Sequence, residues 1–145
     1  AAARYKNARW LCATAAHIPL PAESVGVLTS LFALTLPEEY HRLLQKDGLF
    51  LEIIAAEDHL LGLKSIIYDK IIHKEKETAR DLPGFALLSS RPIRFSFRVE
   101  GEQIGQLFSM TPHVFRVSRA GAQRLAATET LEDTASCVLN VYRRL

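Results

Sequence analysis

The feature that most constrains this chain is the stretch 36–68, LPEEYHRLLQKDGLFLEIIAAEDHLLGLKSIIY. It reads as helix, tight turn, buried strand and second helix. Pro37 and the acidic pair Glu38-Glu39 suit a helix start, where free N–H groups favour negative charge and a missing donor costs nothing. Tyr40, Leu43 and Leu44 give a helix-spaced apolar stripe, and Asp47-Gly48 breaks it with a turn that needs a positive φ. Leu49-Phe50-Leu51 and Ile53-Ile54, interrupted only by Glu52, form a run fit for a strand covered on both faces. This is half of a β–α–β crossover. Sheets built that way bind ligands at the carboxyl ends of their strands, a position held here by residues 55–59.

The 145 residues are expected to form one domain, a size that buries about 70% of the unfolded surface. With 48% hydrophobic and 23% charged residues, disorder is excluded and a soluble globular protein is expected. No apolar run approaches the ~20 residues of a membrane-spanning helix. The opening Ala1-Ala2-Ala3-Arg4-Tyr5-Lys6 has helix propensity but no cap, no Met and no secretory core, so a piece of a longer cytoplasmic protein is expected. Cys12 and Cys137 form no CxxC pair and are expected as two buried thiols rather than a disulfide. A net charge of +2 is too small to argue for nucleic acid.

Residues 10–13 read as a short strand, and the loop through Pro19 and Pro21 as extended. Residues 25–32 (VGVLTSLF) form a second buried strand. Asp58 is placed to cap a helix over 59–72, with Leu60, Leu63, Ile67 and Ile71 on one face. The polar run 73–81 is a solvated helix end or loop. Ile93, Phe95, Phe97 and Val99 alternate with Arg94, Ser96, Arg98 and Glu100, the period-two pattern of a half-exposed antiparallel strand near an edge. Helices are expected over 102–108 and 120–128, and a last strand over 137–142.

Against this order of elements, Thr14-Ala15-Ala16-His17-Ile18-Pro19-Leu20 resembles the loop after the third strand of class I S-adenosylmethionine-dependent methyltransferases. Leu43-Leu44-Gln45-Lys46-Asp47-Gly48 resembles the block before their fifth strand. His59-Leu60, Leu63-Lys64 and Ile67-Tyr68, with Leu107, Met110-Thr111-Pro112 and Arg116, resemble segments of the bacterial 23S ribosomal RNA guanine-N1-methyltransferases. The resemblance implies an α/β fold: a truncated Rossmann-like sheet of strands three to seven, parallel with an antiparallel C-terminal strand pair. The sequence has no CxxC and no GxGxG, so the family's zinc module and Gly-rich cofactor turn are missing. The implied identity is the C-terminal part of such an enzyme, a single partial methyltransferase domain with weak or no cofactor binding of its own. Without the first two strands an apolar edge opens on the 25–32 strand, a template for a homodimer or a strand-swapped assembly.

The same resemblance implies S-adenosylmethionine as cofactor, ribosomal RNA as partner and a guanine ring nitrogen as methyl acceptor. It places Thr14 and Ala15 at the adenine, and Ser30, Leu31 and Phe32 where donor and acceptor meet. Thr14 stands where the family has Asp, and a strand-end Thr also satisfies local backbone. Leu31 and Phe32 equally suit a core, with Phe32 favoured as a pocket wall. His59 matches the family beside the substrate, and Met110, Thr111 and Pro112 with Phe115 are the candidate lid over base or cofactor. The plainer reading of that segment is a helix stop. Glu57 and Asp58 read first as helix-start acids, and no general base stands out. Arg91, Arg94, Arg98, Arg116, Arg119 and Arg143-Arg144 either face phosphate or form a solvated face. His17, His41, His59, His73 and His113 lack metal-ligand spacing, so no metal site is expected. A small-molecule methyltransferase and a non-catalytic dimerisation or interaction module are the rival readings.

Overall fold

The computed structural model describes residues 3–72 and 77–145. Among the described residues, four strands and four α-helices follow in the order β1 Val25–Leu31, α1 Pro37–Leu43, β2 Leu44–Ala55, α2 Leu61–Ile67, β3 Phe85–Glu100, α3 Glu102–Ser109, α4 Arg119–Ala126 and β4 Thr130–Arg144. The sheet order is β1-β2-β4-β3. β1 runs parallel to β2, whereas β4 is antiparallel to both β2 and β3. The α/β class stands, with a mixed sheet of four strands.

Residues 10–13 are not a strand, so the expected five strands are reduced to four. Trp10 and Leu11 are exposed, and no neighbour offers them a ladder. A strand is stable only through its pairing, so β-forming side chains alone do not make one. Residues 3 and 4 form a turn and 5 and 6 are irregular in place of the expected helix start; residues 1 and 2 of that expectation lie outside the described residues. The polar run expected over 73–81 falls partly outside them too, at 73–76.

α1 is what its sequence demands. Pro37 occupies the first turn with Glu38 and Glu39, and Tyr40 and Leu43 are buried. The chain then enters β2 directly at Leu44, with no separate turn. Instead β1 and β2 slip register between Val25 and Val27, and the positive φ belongs to Asp47 (60°), not Gly48. On this face Tyr40, Leu44, Phe50, Phe85 and Tyr142 form an aromatic core, in which the Phe50 and Tyr142 rings stack at 5.6 Å.

Leu60, Leu63, Ile67, Ile104, Leu125 and Leu131 form a second, aliphatic core among the helices. α2 is shorter than expected and ends at Ile67, and its cap is not Asp58, which pairs with Arg94. Asp133 of β4 takes that place. Its carboxylate accepts the Gly62 N–H at 3.0 Å and the Leu63 N–H at 2.7 Å, satisfying donors that a helix start leaves open. Gly62 is needed for this approach, because a Cβ there would sit 2.8 Å from the Glu132 carbonyl oxygen. Gly121 does the same for α4 on α2, where a Cβ would lie 2.2 Å from the Ile67 oxygen. α4 itself starts at Ser118, whose hydroxyl accepts the Gly121 N–H.

Both cysteines are free. Cys137 is buried as expected, whereas Cys12 is exposed with the unpaired segment around it. Among the described residues no helix is long and apolar enough to cross a membrane.

Candidate functional site

A cavity of about 940 Å³ opens at the carboxyl ends of β1 and β2, and its walls include Phe32, Ile53, Ile54 and Ala55 from those strand ends. β3 contributes Ile93, Phe95 and Phe97, and the segment after α3 contributes Met110, Thr111 and Pro112. The volume lies in the range of small-molecule sites, and the mostly apolar lining with a few polar groups is the usual composition of one.

Two bulky residues at this opening hold left-handed backbones. Phe32 and Leu60 both have φ of 53°, a region where a side chain with a Cβ costs of order 1–3 kcal/mol and which clusters at functional sites. Phe32 leaves β1 by donating its N–H to the Ile53 oxygen at 2.9 Å. Its ring then lies over that of His59, with centroids 5.3 Å apart and planes 28° apart. Leu60 fixes the other side of His59 by donating its N–H to the Thr134 oxygen. The Ser136 N–H reaches His59 Nδ1 at 3.2 Å, so Nδ1 serves as an acceptor and the neutral ring carries its proton on Nε2. Cys137 Sγ is 3.7 Å from the same nitrogen. Burial pushes the Cys137 thiol up, away from the thiolate form that reacts.

Below the opening a polar row crosses the sheet in one register: Ser30, Glu52, Asn140 and Ser90 on successive strands. Glu52 is fully buried, paired with Arg80 at 2.7 Å and bonded to Thr35. Asn140 donates to Glu52 Oε2 at 3.1 Å and to the Thr78 oxygen at 2.6 Å, and the Tyr142 hydroxyl donates to the Arg80 oxygen. Burial, with Glu52 adding to it, pushes the Tyr142 hydroxyl up. A buried carboxylate needs such pairing to remain charged, and the pairing ties residues 78–80 across the sheet. Thr35 and Arg80 carry this network to the cavity wall.

Of the ten residues expected at a site, five line this cavity: Phe32, His59, Met110, Thr111 and Pro112. Ser30 is buried behind the wall, and Leu31 and Phe115 are exposed off it. Thr14 and Ala15 are exposed in the irregular N-terminal segment. There Thr14 serves its own turn, accepting the Ala16 N–H at Oγ1 and the His17 N–H at its carbonyl. The reading from sequence missed Thr35, Arg80, Phe95 and Cys137. Phe95 was findable from its alternation with Ile93 and Phe97; Arg80 gave no local signal. Of the arginines, Arg94 is held by Asp58, and Arg98 by Glu100 and Glu132.

For S-adenosylmethionine the fit is partial. The apolar walls suit a planar base, but among the described residues the lining carries no Gly-rich turn for the amino-acid end. Glu52, the carboxylate beneath the opening, is already committed to Thr35, Arg80 and Asn140. Among the described residues no three His, Cys, Asp or Glu gather as a metal site.

No family model matches the chain. It is 26% identical over 112 residues to YxjB of Bacillus subtilis (strain 168), named provisionally as a 23S rRNA (guanine-N(1)-)-methyltransferase. The match covers 74% of this chain and 40% of that protein, so the chain spans about two fifths of the relative's length. Among solved structures, a provisionally named methyltransferase from Bacillus halodurans C-125 superposes with a TM-score of 0.46 at 14% identity, over 90% of this chain and 69% of that one. The YcgJ protein of Bacillus subtilis gives 0.44 at 12% identity, over 91% and 69%. These scores are too low to carry the fold assignment. The resemblance read from the residues themselves thus has its counterpart in sequence: this chain is similar to a protein of the 23S ribosomal RNA guanine-N1-methyltransferase type.

Proposed function

We propose that the chain is the C-terminal part of an S-adenosylmethionine-dependent methyltransferase with a truncated Rossmann-like class I sheet, cytoplasmic, acting on a guanine ring nitrogen of ribosomal RNA. The observation that carries this reading is the cavity at the carboxyl ends of β1 and β2, where Phe32 and Phe95 leave exposed aromatic surface beside His59 and Met110. A base drawn out of RNA needs such walls to stack on. In this reading Phe32 orients the base, the 110–112 segment with Phe115 closes over it and excludes water, and the polar row beneath keeps the floor rigid. Placement of this kind is the larger part of what a group-transfer site contributes. Thr14, Ala15, Ser30 and Leu31 belong to the cofactor side in the same reading, which requires the parent's remaining chain to bring 14–15 inward. The cofactor supplies the methyl group; its amino-acid end has no cradle here, so the isolated chain is inactive and binds it weakly or not at all.

The open edge of β1 favours a second reading alongside, a homodimer or strand-swapped assembly in which this piece is an interaction module. A labelled-methyl assay on 23S ribosomal RNA tests the first reading. The longer parent should transfer label and lose most of it on Phe32→Ala, while this chain transfers none. Transfer to a small molecule but not to RNA would replace the substrate with one from the rival class.

A further inference from the structure

Arg80 gives only part of its guanidinium to the polar row beneath the cavity. Its Nη2 donates to Glu52 Oε1 at 2.7 Å and to the Thr35 hydroxyl at 3.2 Å. Its Nε is buried and finds no acceptor, a bond that folded proteins seldom forgo. Nη1 makes no hydrogen bond among the described residues either, and it is not enclosed as Nε is. The side chain is 38% exposed and lines the cavity. One nitrogen is spent, one is enclosed and one is open.

The open nitrogen sits on a fixed frame. Glu52, which holds Nη2, is fully buried and is itself held by Asn140. Asn140 also binds the Thr78 oxygen, and the Tyr142 hydroxyl binds the carbonyl oxygen of Arg80. Side chain and backbone of Arg80 are thus both tied to the middle of the sheet, so little freedom is left to lose when a ligand binds. The neighbouring Thr35 hydroxyl is already occupied, donating to Glu52 and accepting from Arg80. A guanidinium can only donate. Because Glu52 offsets its charge, the cavity wall holds a directed donor rather than a net cation, which suits a neutral carbonyl oxygen better than a phosphate.

We propose that Arg80 reads the base in this cavity, with Nη1 donating to the carbonyl oxygen O6 of guanine. This rests on the purine-base reading of the cavity given above and adds the group that chooses among purines. At position 6 guanine presents an acceptor, whereas adenine presents an amino group with donors of its own. Against a side chain that only donates, adenine sets donor against donor, and the penalty falls on the wrong base.

Titration of this chain with the 5′-monophosphates of guanosine, inosine and adenosine, followed by ¹⁵N-resolved spectra, tests the assignment. Inosine keeps O6 and lacks the 2-amino group. The guanosine and inosine nucleotides should bind alike, and the adenosine nucleotide about tenfold more weakly or worse. Adenosine monophosphate binding as tightly as guanosine monophosphate, with Phe32 shifting for both, overturns the role of Arg80 and leaves the purine site standing. Inosine monophosphate as weak as adenosine monophosphate assigns the choice to the 2-amino group and overturns that role as well. No shift with any of the three overturns the purine site and this inference together. Arg80→Lys keeps a positive charge beside Glu52 without the planar fork, and should remove the preference for guanosine over adenosine while the Phe32 shift remains. A preference that survives in the folded Arg80→Lys chain contradicts the proposal; if that variant does not fold, the three nucleotides on the unaltered chain decide it.

Discussion

Two groups of aromatic side chains in this molecule have opposite fates. Tyr40, Phe50, Phe85 and Tyr142 are buried against one another under α1, with Phe50 and Tyr142 at 0% exposure. Phe32, at the carboxyl end of β1, and Phe95, on β3 across the cavity, are each 58% exposed. The hydrophobic effect accounts for the first group completely. Left to itself it would bury the second as well, and Phe32 is moreover held in a left-handed backbone that disfavours so large a residue. The difference separates what holds the sheet together from what, in the proposed reading, the sheet holds out for a ligand.

The largest expected effect lies in the buried group. Phe50→Ala should cost about 3–5 kcal/mol, the usual range for emptying an aromatic core position, measured as a drop in the denaturant midpoint at unchanged slope. Next is Asp133→Ala, which leaves the Gly62 and Leu63 N–H groups without their acceptor beneath α2. A loss of about 1–3 kcal/mol is expected, with faster hydrogen exchange confined to the start of that helix. Phe32→Ala should break the comparison the other way, changing stability by no more than about 0.5 kcal/mol, as at other surface sites. In the parent it should weaken RNA binding by about 1–3 kcal/mol, the worth of one stacked base. If Phe32→Ala unfolds the chain as Phe50→Ala does, Phe32 is core and the contrast fails.

The smallest effect concerns the clamp on the N-terminal segment. Hydrogen bonds from Arg42, and then from the Ile18 N–H, lower the Glu39 carboxyl from 4.5 to about 2. A depressed carboxylate stabilises the fold above its unfolded value and loses that contribution as protons bind. The clamp should therefore be intact above pH 4.5 and release as pH falls toward about 2, seen as a shift of the Ile18 amide signal over that window.

Much of this was legible in the chain because local signals agreed. Pro37, the acidic pair and the apolar run 49–54 specify α1 and β2 without help, and the alternation from Ile93 to Glu100 marks an edge strand on sight. What stayed hidden depended on distant partners. Asp133 caps a helix some seventy residues earlier in the chain, so the nearer Asp58 looked like the cap. Arg80 reaches Glu52 from a stretch with no regular pattern. The 10–13 segment has strand chemistry but no neighbour, and sequence reports the chemistry alone. The cavity joined Phe32 to Met110 because the strand order brings them together, while Thr14 and Ala15 lie outside it, in a turn that Thr14 closes on itself.

The central claim is that the cavity between Phe32, His59 and Met110 receives a purine base, and a ¹⁵N-resolved spectrum of the chain titrated with guanosine 5′-monophosphate tests it most directly. Shifts confined to the amides of Phe32–Thr35, His59, Met110, Thr111 and His113, with S-adenosylmethionine producing little change, are the predicted result. Shifts elsewhere, or none at millimolar nucleotide alongside tight S-adenosylmethionine binding, would contradict it.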